Sequence, residues 1–105
     1  MKGNTMKIVL CCNAGMSTSM LVKKMREAAQ TAHQDVSIDA CPVSEIEEKA
    51  ADADVLLLGP QVRYELKHVQ GVYPDKHVEA IAPTDYGMLR GDKVLARAFE
   101  LMNQQ

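Results

Sequence analysis

Apolar and polar positions switch between two periods along this chain, and the switch repeats four times. Met6-Lys7-Ile8-Val9-Leu10-Cys11 is a short apolar run of strand type. It leads into Ser17 to His33, where Met20, Leu21, Met25, Ala28, Ala29 and Ala32 fall on one face at helical spacing. Val36 to Cys41 alternates apolar with polar residues, as an outer strand with one less buried side does, and Pro42 ends it. Ser44 is placed to cap a short helix over Glu45 to Ala51, with Glu47 at capping-box spacing. Asp54 to Gly59 is a continuous apolar run bounded by Gly and Pro, the pattern of a strand covered on both faces. A third helix is expected over Gln61 to Val72, a turn at Pro74-Asp75 and a fourth strand over His77 to Ile81. Pro83 to Gly87 reads as a loop. Gly91-Asp92 then precedes a last helix, with Val94, Leu95, Ala98, Leu101 and Met102 as its buried stripe.

Four strands, each followed by a helix, predict an α/β fold: one four-stranded parallel sheet with helices on both faces. A flavodoxin-like strand order, 2-1-3-4, is expected. In such sheets ligands sit beyond the carboxyl ends of the strands, near the switch point between the central ones. The loops at Cys12, at Gly59-Pro60-Gln61 and at Pro83 to Gly87 all fall on that edge.

Composition narrows the function. The 105 residues are expected to make a single domain, 1–105, with 1–5 as a frayed extension. A net charge of −2, with one Phe, three Tyr and no Trp, offers neither a basic field nor stacking surfaces for nucleic acid. No apolar run approaches the roughly 20 residues a membrane helix needs, and Met1 to Thr5 is not expected to begin a signal peptide. The three cysteines have no metal-ligand spacing and read as thiols of a reducing cytosol. His33, His68 and His77 are scattered, as surface histidines are, so no metal or cofactor is expected.

The chemistry concentrates at Cys12-Asn13-Ala14-Gly15-Met16-Ser17-Thr18-Ser19. A cysteine at a strand end, followed by small residues and a helix start, is a phosphate cradle carrying a nucleophile. Backbone N–H groups there converge on one point, and the helix end adds partial positive charge. The same field favours the thiolate, the reactive form of cysteine. From Asn13 to Ser19 the donors are backbone N–H groups and the hydroxyls of Ser17, Thr18 and Ser19, with no Lys or Arg among them. Gly15 allows close approach of the backbone to an anion. Some of these hydroxyls also suit helix capping, which uses the same free N–H groups. Cys11 alternates away from Cys12 and is expected to pack under a helix, with Cys41 in the core or at the edge.

That string resembles the phosphorylation-site signature of the enzyme IIB components of the lactose/cellobiose (chitobiose) class of the bacterial sugar phosphotransferase system. Leu57-Leu58-Gly59-Pro60-Gln61-Val62 is similar to a second motif of the class, and Asp85-Tyr86-Gly87 stands where the family has a Tyr-Gly pair. The resemblance implies a cytosolic phosphocysteine carrier, an enzyme component that works as a phosphotransferase. A IIA protein, charged from phosphoenolpyruvate through enzyme I and HPr, would pass a phosphoryl group from its histidine to Cys12. Cys12 would give it to a sugar, cellobiose or a related β-glycoside, held by a separate membrane protein, IIC. Asn13 to Ser19 would bind the phosphoryl group, with Gln61 and Tyr86 in support. A monomer is expected of such a shuttle.

The competing reading is a low-molecular-weight phosphatase or an arsenate reductase, which share the strand–loop–helix. Those phosphatases carry Arg six residues after the cysteine, where this chain has Thr18, and such an arginine is worth on the order of a thousandfold in rate. Asp85 is the residue that could serve as their general acid. A flavin-binding module would want more aromatic residues than this chain has. Arg63, Tyr64, Lys67 and His68 follow Gly-Pro-Gln as a solvated face, or as one that meets an acidic partner. Met20 is expected in the core, and Met16 exposed for docking.

Overall fold

A computed structural model of the chain describes residues 6–13 and 15–103, without the side chains of residues 15–17. Its sheet has four parallel strands in the expected order: β2 (Val36–Pro42), β1 (Met6–Cys12), β3 (Val55–Leu58) and β4 (His77–Ala80). Ile8 stands opposite Ile38 on one side and Val55 on the other, and Val55 opposite His77. All four strands therefore end along one edge, at Cys12, Pro42, Leu58 and Ala80.

The apolar runs of the two central strands are explained by their two covered faces. Ile8, Leu10, Val55 and Leu57 point to one side, where they meet Leu21 and Met25 of α1 (Gly15–Thr31) and Val94, Leu95 and Ala98 of α5 (Gly91–Met102). Val9, Cys11, Leu56 and Leu58 point to the other, against Ile46 of α2 (Ile46–Lys49), Val62, and Val69 of α3 (Leu66–Val72). Period-2 alternation within each strand thus feeds two separate cores. By the same alternation Cys12 follows Leu10 toward the α1 and α5 side.

Several local expectations need correction. Helix α1 starts at Gly15, ahead of Ser17, and ends at Thr31. It ends there because His33 turns left-handed (φ 57°) and Gln34 N–H reaches back to the Ala29 carbonyl at 2.9 Å. Ala32 lies past that end and is exposed. Met20 is 55% exposed rather than in the core. Its position lies on the margin of the apolar face, and among the described residues no element buries it there.

Ser44 caps nothing: it lies inside a 3₁₀ turn, Val43–Glu45, that precedes the one-turn helix α2. The segment after Gly59-Pro60 is a 3₁₀ stretch, Pro60–Glu65, broken at Val62 (φ −120°), and only Leu66–Val72 is α-helical. Pro83–Gly87, read as a loop, is a short helix α4, begun by Pro83 in the first turn, where its missing N–H costs nothing. Strand β4 stops at Ala80, and Met102 is half-buried. The expectation for residues 1–5 lies outside the described residues.

Candidate functional site

The carboxyl edge of the sheet assembles the site from four elements. Strand β1 delivers Cys12 at its last position, with the sulfur-bearing residue 3% exposed. Helix α1 begins three residues later, so its free N–H groups open toward the cysteine end of the strand. Beside it, Gly59 N–H donates to the Cys11 carbonyl at 2.8 Å, which ties the turn after β3 to the residue before Cys12. Ile81 N–H extends the ladder in the same way to the Leu58 carbonyl at 2.8 Å.

The geometry converges on the Cys12 sulfur. Thr18, 1% exposed, stands one turn into α1 and donates its hydroxyl to Cys12 Sγ at 2.7 Å. The same Thr18 oxygen lies 2.9 Å from the hydroxyl of Tyr86, which α4 carries and which is 7% exposed. A threonine hydroxyl has one proton. With that proton directed at the Cys12 sulfur, the Tyr86 hydroxyl must be the donor to Thr18. The result is a directed chain, Tyr86 to Thr18 to Cys12.

A hollow of about 140 Å³ opens over Cys12, lined by Asn13, Thr18 and Ser19 and by Ala40, Cys41 and Pro42 of β2. Sites that engulf a whole small molecule usually run to about 300–1,000 Å³. This one has room for a group attached to the sulfur. Gln61 is exposed, yet its side-chain oxygen folds back over Gly59, whose open side also faces Cys12 Cβ and the Tyr86 ring. Of the predicted cradle, Asn13, Thr18 and Ser19 are brought to the hollow. Ala14 lies outside the described residues, as do the side chains of Gly15, Met16 and Ser17.

Sequence reasoning missed the β2 side of the hollow. Its signal was the strand order itself, since an in-register parallel neighbour must end beside β1, with Pro42 opposite Cys12. Asp85 is not part of this constellation. It lies 3.6 Å from Arg90 and lines a different hollow with Glu79 and Arg97, so it is not placed as an acid for the Cys12 group.

Cys11 behaves as expected of a core thiol. It is fully buried on the other face, with its sulfur 3.8 Å from that of Cys41, its register partner on β2. Hydrogen bonding to Cys41 and burial both push the Cys11 thiol far above its usual range, and the bond from Cys11 holds Cys41 below it. Lys23, Lys24, Arg63, Tyr64, Lys67 and His68 are all exposed. Among the described residues no cluster of His, Cys, Asp and Glu is arranged to hold a metal ion, and no helix is long and apolar enough to cross a membrane.

A four-stranded parallel sheet with a cysteine at the carboxyl end of β1, under a helix N-terminus, defines a class of small flavodoxin-like α/β proteins. Comparison with known sequences narrows it. Residues 7–97 match the family model described as "PTS system, Lactose/Cellobiose specific IIB subunit", and the chain belongs to that family. Two curated relatives from Lactococcus lactis are each 45% identical over 103 residues, covering 91% of this chain and 95% of theirs. One is named a galactose-specific EIIB component (subsp. cremoris), the other a cellobiose-specific EIIB component (subsp. lactis). The solution structure of a cellobiose-specific phosphotransferase IIB component from Borrelia burgdorferi superposes with a TM-score of 0.79 at 36% identity, covering 95% of this chain and 94% of that one. The chain is thus a IIB component of the lactose/cellobiose class, a component of a phosphotransferase system.

Proposed function

We propose that this chain is a cytosolic phosphocysteine carrier in which Cys12 Sγ is the atom that bears the phosphoryl group. In charging, the sulfur lone pair forms an S–P bond while the N–P bond of a phosphohistidine on the IIA partner breaks and its electron pair returns to the imidazole. In discharge, a hydroxyl oxygen of a sugar held by the membrane partner IIC forms the O–P bond. The S–P pair then returns to sulfur, and the hydroxyl proton leaves to solvent.

The observation that carries this reading is the position of Cys12, whose sulfur accepts a bond from a buried hydroxyl beneath a hollow sized for one group. Backbone N–H groups from Asn13 to Ser19, with the hydroxyls of Ser17 and Ser19, would hold a dianion without a fixed cation, which suits a group meant to leave again. A charged residue needed for fast transfer then comes from the partner. Gln61, folded over Gly59, supports the rim of the site. The sugar is a β-glycoside of the cellobiose kind chosen by IIC, in keeping with two equally similar relatives whose names carry different sugars. The carrier works as a monomer between its two partners.

The test is the intact mass of the protein after incubation with phosphoenolpyruvate, enzyme I, HPr and a matching IIA. One added phosphoryl group on the wild type and none on Cys12→Ser is the expected result. An unmodified wild type that instead hydrolyses an aryl phosphate would overturn the reading in favour of a phosphatase.

A further inference from the structure

We infer that Thr18 and Tyr86 act as a hydroxyl relay for the leaving sulfur, and that the Thr18 hydroxyl does not grip the phosphoryl oxygens. This role rests on the carrier reading above. Thr18 has one proton to give, and it is directed at Cys12 Sγ, 2.7 Å away. Tyr86 fixes that direction by occupying the threonine oxygen at 2.9 Å. Both side chains are at most 7% exposed, so water competes poorly for either hydroxyl.

The relay discriminates between the two states of the carrier. A free thiolate carries full negative charge and is a strong acceptor. In phosphocysteine the sulfur pair is shared with phosphorus, and the same hydroxyl finds a weak acceptor. As the S–P bond breaks, charge develops on sulfur in front of a donor already oriented toward it. Stabilisation that grows toward the transition state lowers the barrier to discharge. The Thr18 proton stays on its oxygen throughout; only the S–P electron pair moves. Thr18 therefore touches the reacting atom, whereas Tyr86 acts through Thr18 as a positioning residue.

The experiment follows phosphoryl exchange between IIA and this chain in both directions by quenched intact mass, for the wild type, Thr18→Val, Thr18→Ser and Tyr86→Phe. Removing the donor raises the energy of the free thiolate, so Thr18→Val shifts the exchange equilibrium toward phosphocysteine by about 10- to 100-fold, mostly through slower back-transfer. Tyr86→Phe shifts it the same way by about three- to tenfold. Thr18→Ser, which keeps the hydroxyl, stays within about threefold of wild type. In the double variant Tyr86→Phe adds nothing to Thr18→Val, because its effect has no other route.

A loss of packing alone would slow both directions together and leave the equilibrium in place. An unmoved equilibrium in Thr18→Val overturns the relay, and so does a Tyr86→Phe effect that persists undiminished in the Thr18→Val background. A wild type that takes no phosphoryl group is a separate outcome: it overturns the carrier reading, and this role with it.

Discussion

The side-chain oxygen of Gln61 lies 2.6 Å from where a β-carbon on Gly59 would stand. The same point is 3.4 Å from Cys12 Cβ and from the Tyr86 ring, so the absent side chain leaves the space through which Gln61 reaches the site. Gly59 itself has an ordinary extended backbone (φ −60°, ψ 153°) that any residue can adopt. Gly59→Ala is therefore expected to displace the end of a flexible side chain at a cost within about 1 kcal/mol. Urea unfolding checks that cost, and the charging rate by IIA falls if Gln61 supports transfer. Gln61→Ala should then match Gly59→Ala in rate.

Gly91 gives the opposite result for the same substitution. A β-carbon there would stand 2.5 Å from the Lys24 carbonyl carbon and 2.6 Å from Met25 N, both backbone atoms of α1. The first turn of α5 packs directly on that helix, and backbone cannot swing aside. Gly91→Ala should destabilise the fold by about 1–3 kcal/mol or more, read as a lowered urea midpoint with an unchanged slope.

Cys11 gives a pH signature. Its thiol is held far above its ordinary range, by the bond to Cys41 and then by burial, so the folded chain keeps a proton that the unfolded chain releases near pH 8.5. The associated stability is complete below that pH and is lost as pH rises above it. Between pH 8.5 and 10 the unfolding free energy should fall, with a slope approaching about 1.4 kcal/mol per pH unit from this group. Cys11→Ala should flatten the slope at a cost of about 1–2 kcal/mol at pH 7, since it leaves a small gap in the second core. Denaturant titrations at several pH values decide it.

Arg26 guards the outer strand. From α1 its guanidinium donates to the Ile38 carbonyl of β2 at 3.0 and 2.5 Å and to Asp39 at 3.1 Å. An edge strand with an uncovered backbone is a template for another chain. Arg26→Ala should cost only about 1 kcal/mol, because the ion pair is exposed, yet increase concentration-dependent association. Light scattering against protein concentration, beside the unfolding curve, separates the two effects.

Much of this protein was legible because its signals are local. The apolar run Val55 to Leu58, bounded by Gly59-Pro60, identifies a strand buried on both faces without any knowledge of its neighbours. The four strand–helix repeats identify a parallel sheet, and Cys12 before Gly15 and three hydroxyls marks the candidate site. Where the signal was short, tertiary packing decided instead. Ser44 has the spacing of a cap, but the chain must turn at once toward β3, and a 3₁₀ turn does so in fewer residues. Met20 has an apolar side chain at helical spacing, but it lies outside the angular width that α5 and the sheet cover.

The sequence by itself determined the order of the strands and the family, and singled out Cys12, since each is written in contiguous residues whose periodicity and turn chemistry act over a few positions. Only the tertiary structure decided what surrounds the sulfur. Thr18 and Tyr86 are 68 positions apart, and their hydrogen bond exists because β1 and β4 end on the same edge and α4 follows β4 there. The contacts that orient a reacting atom are long-range, set by how the strands are ordered, and no local pattern encodes them.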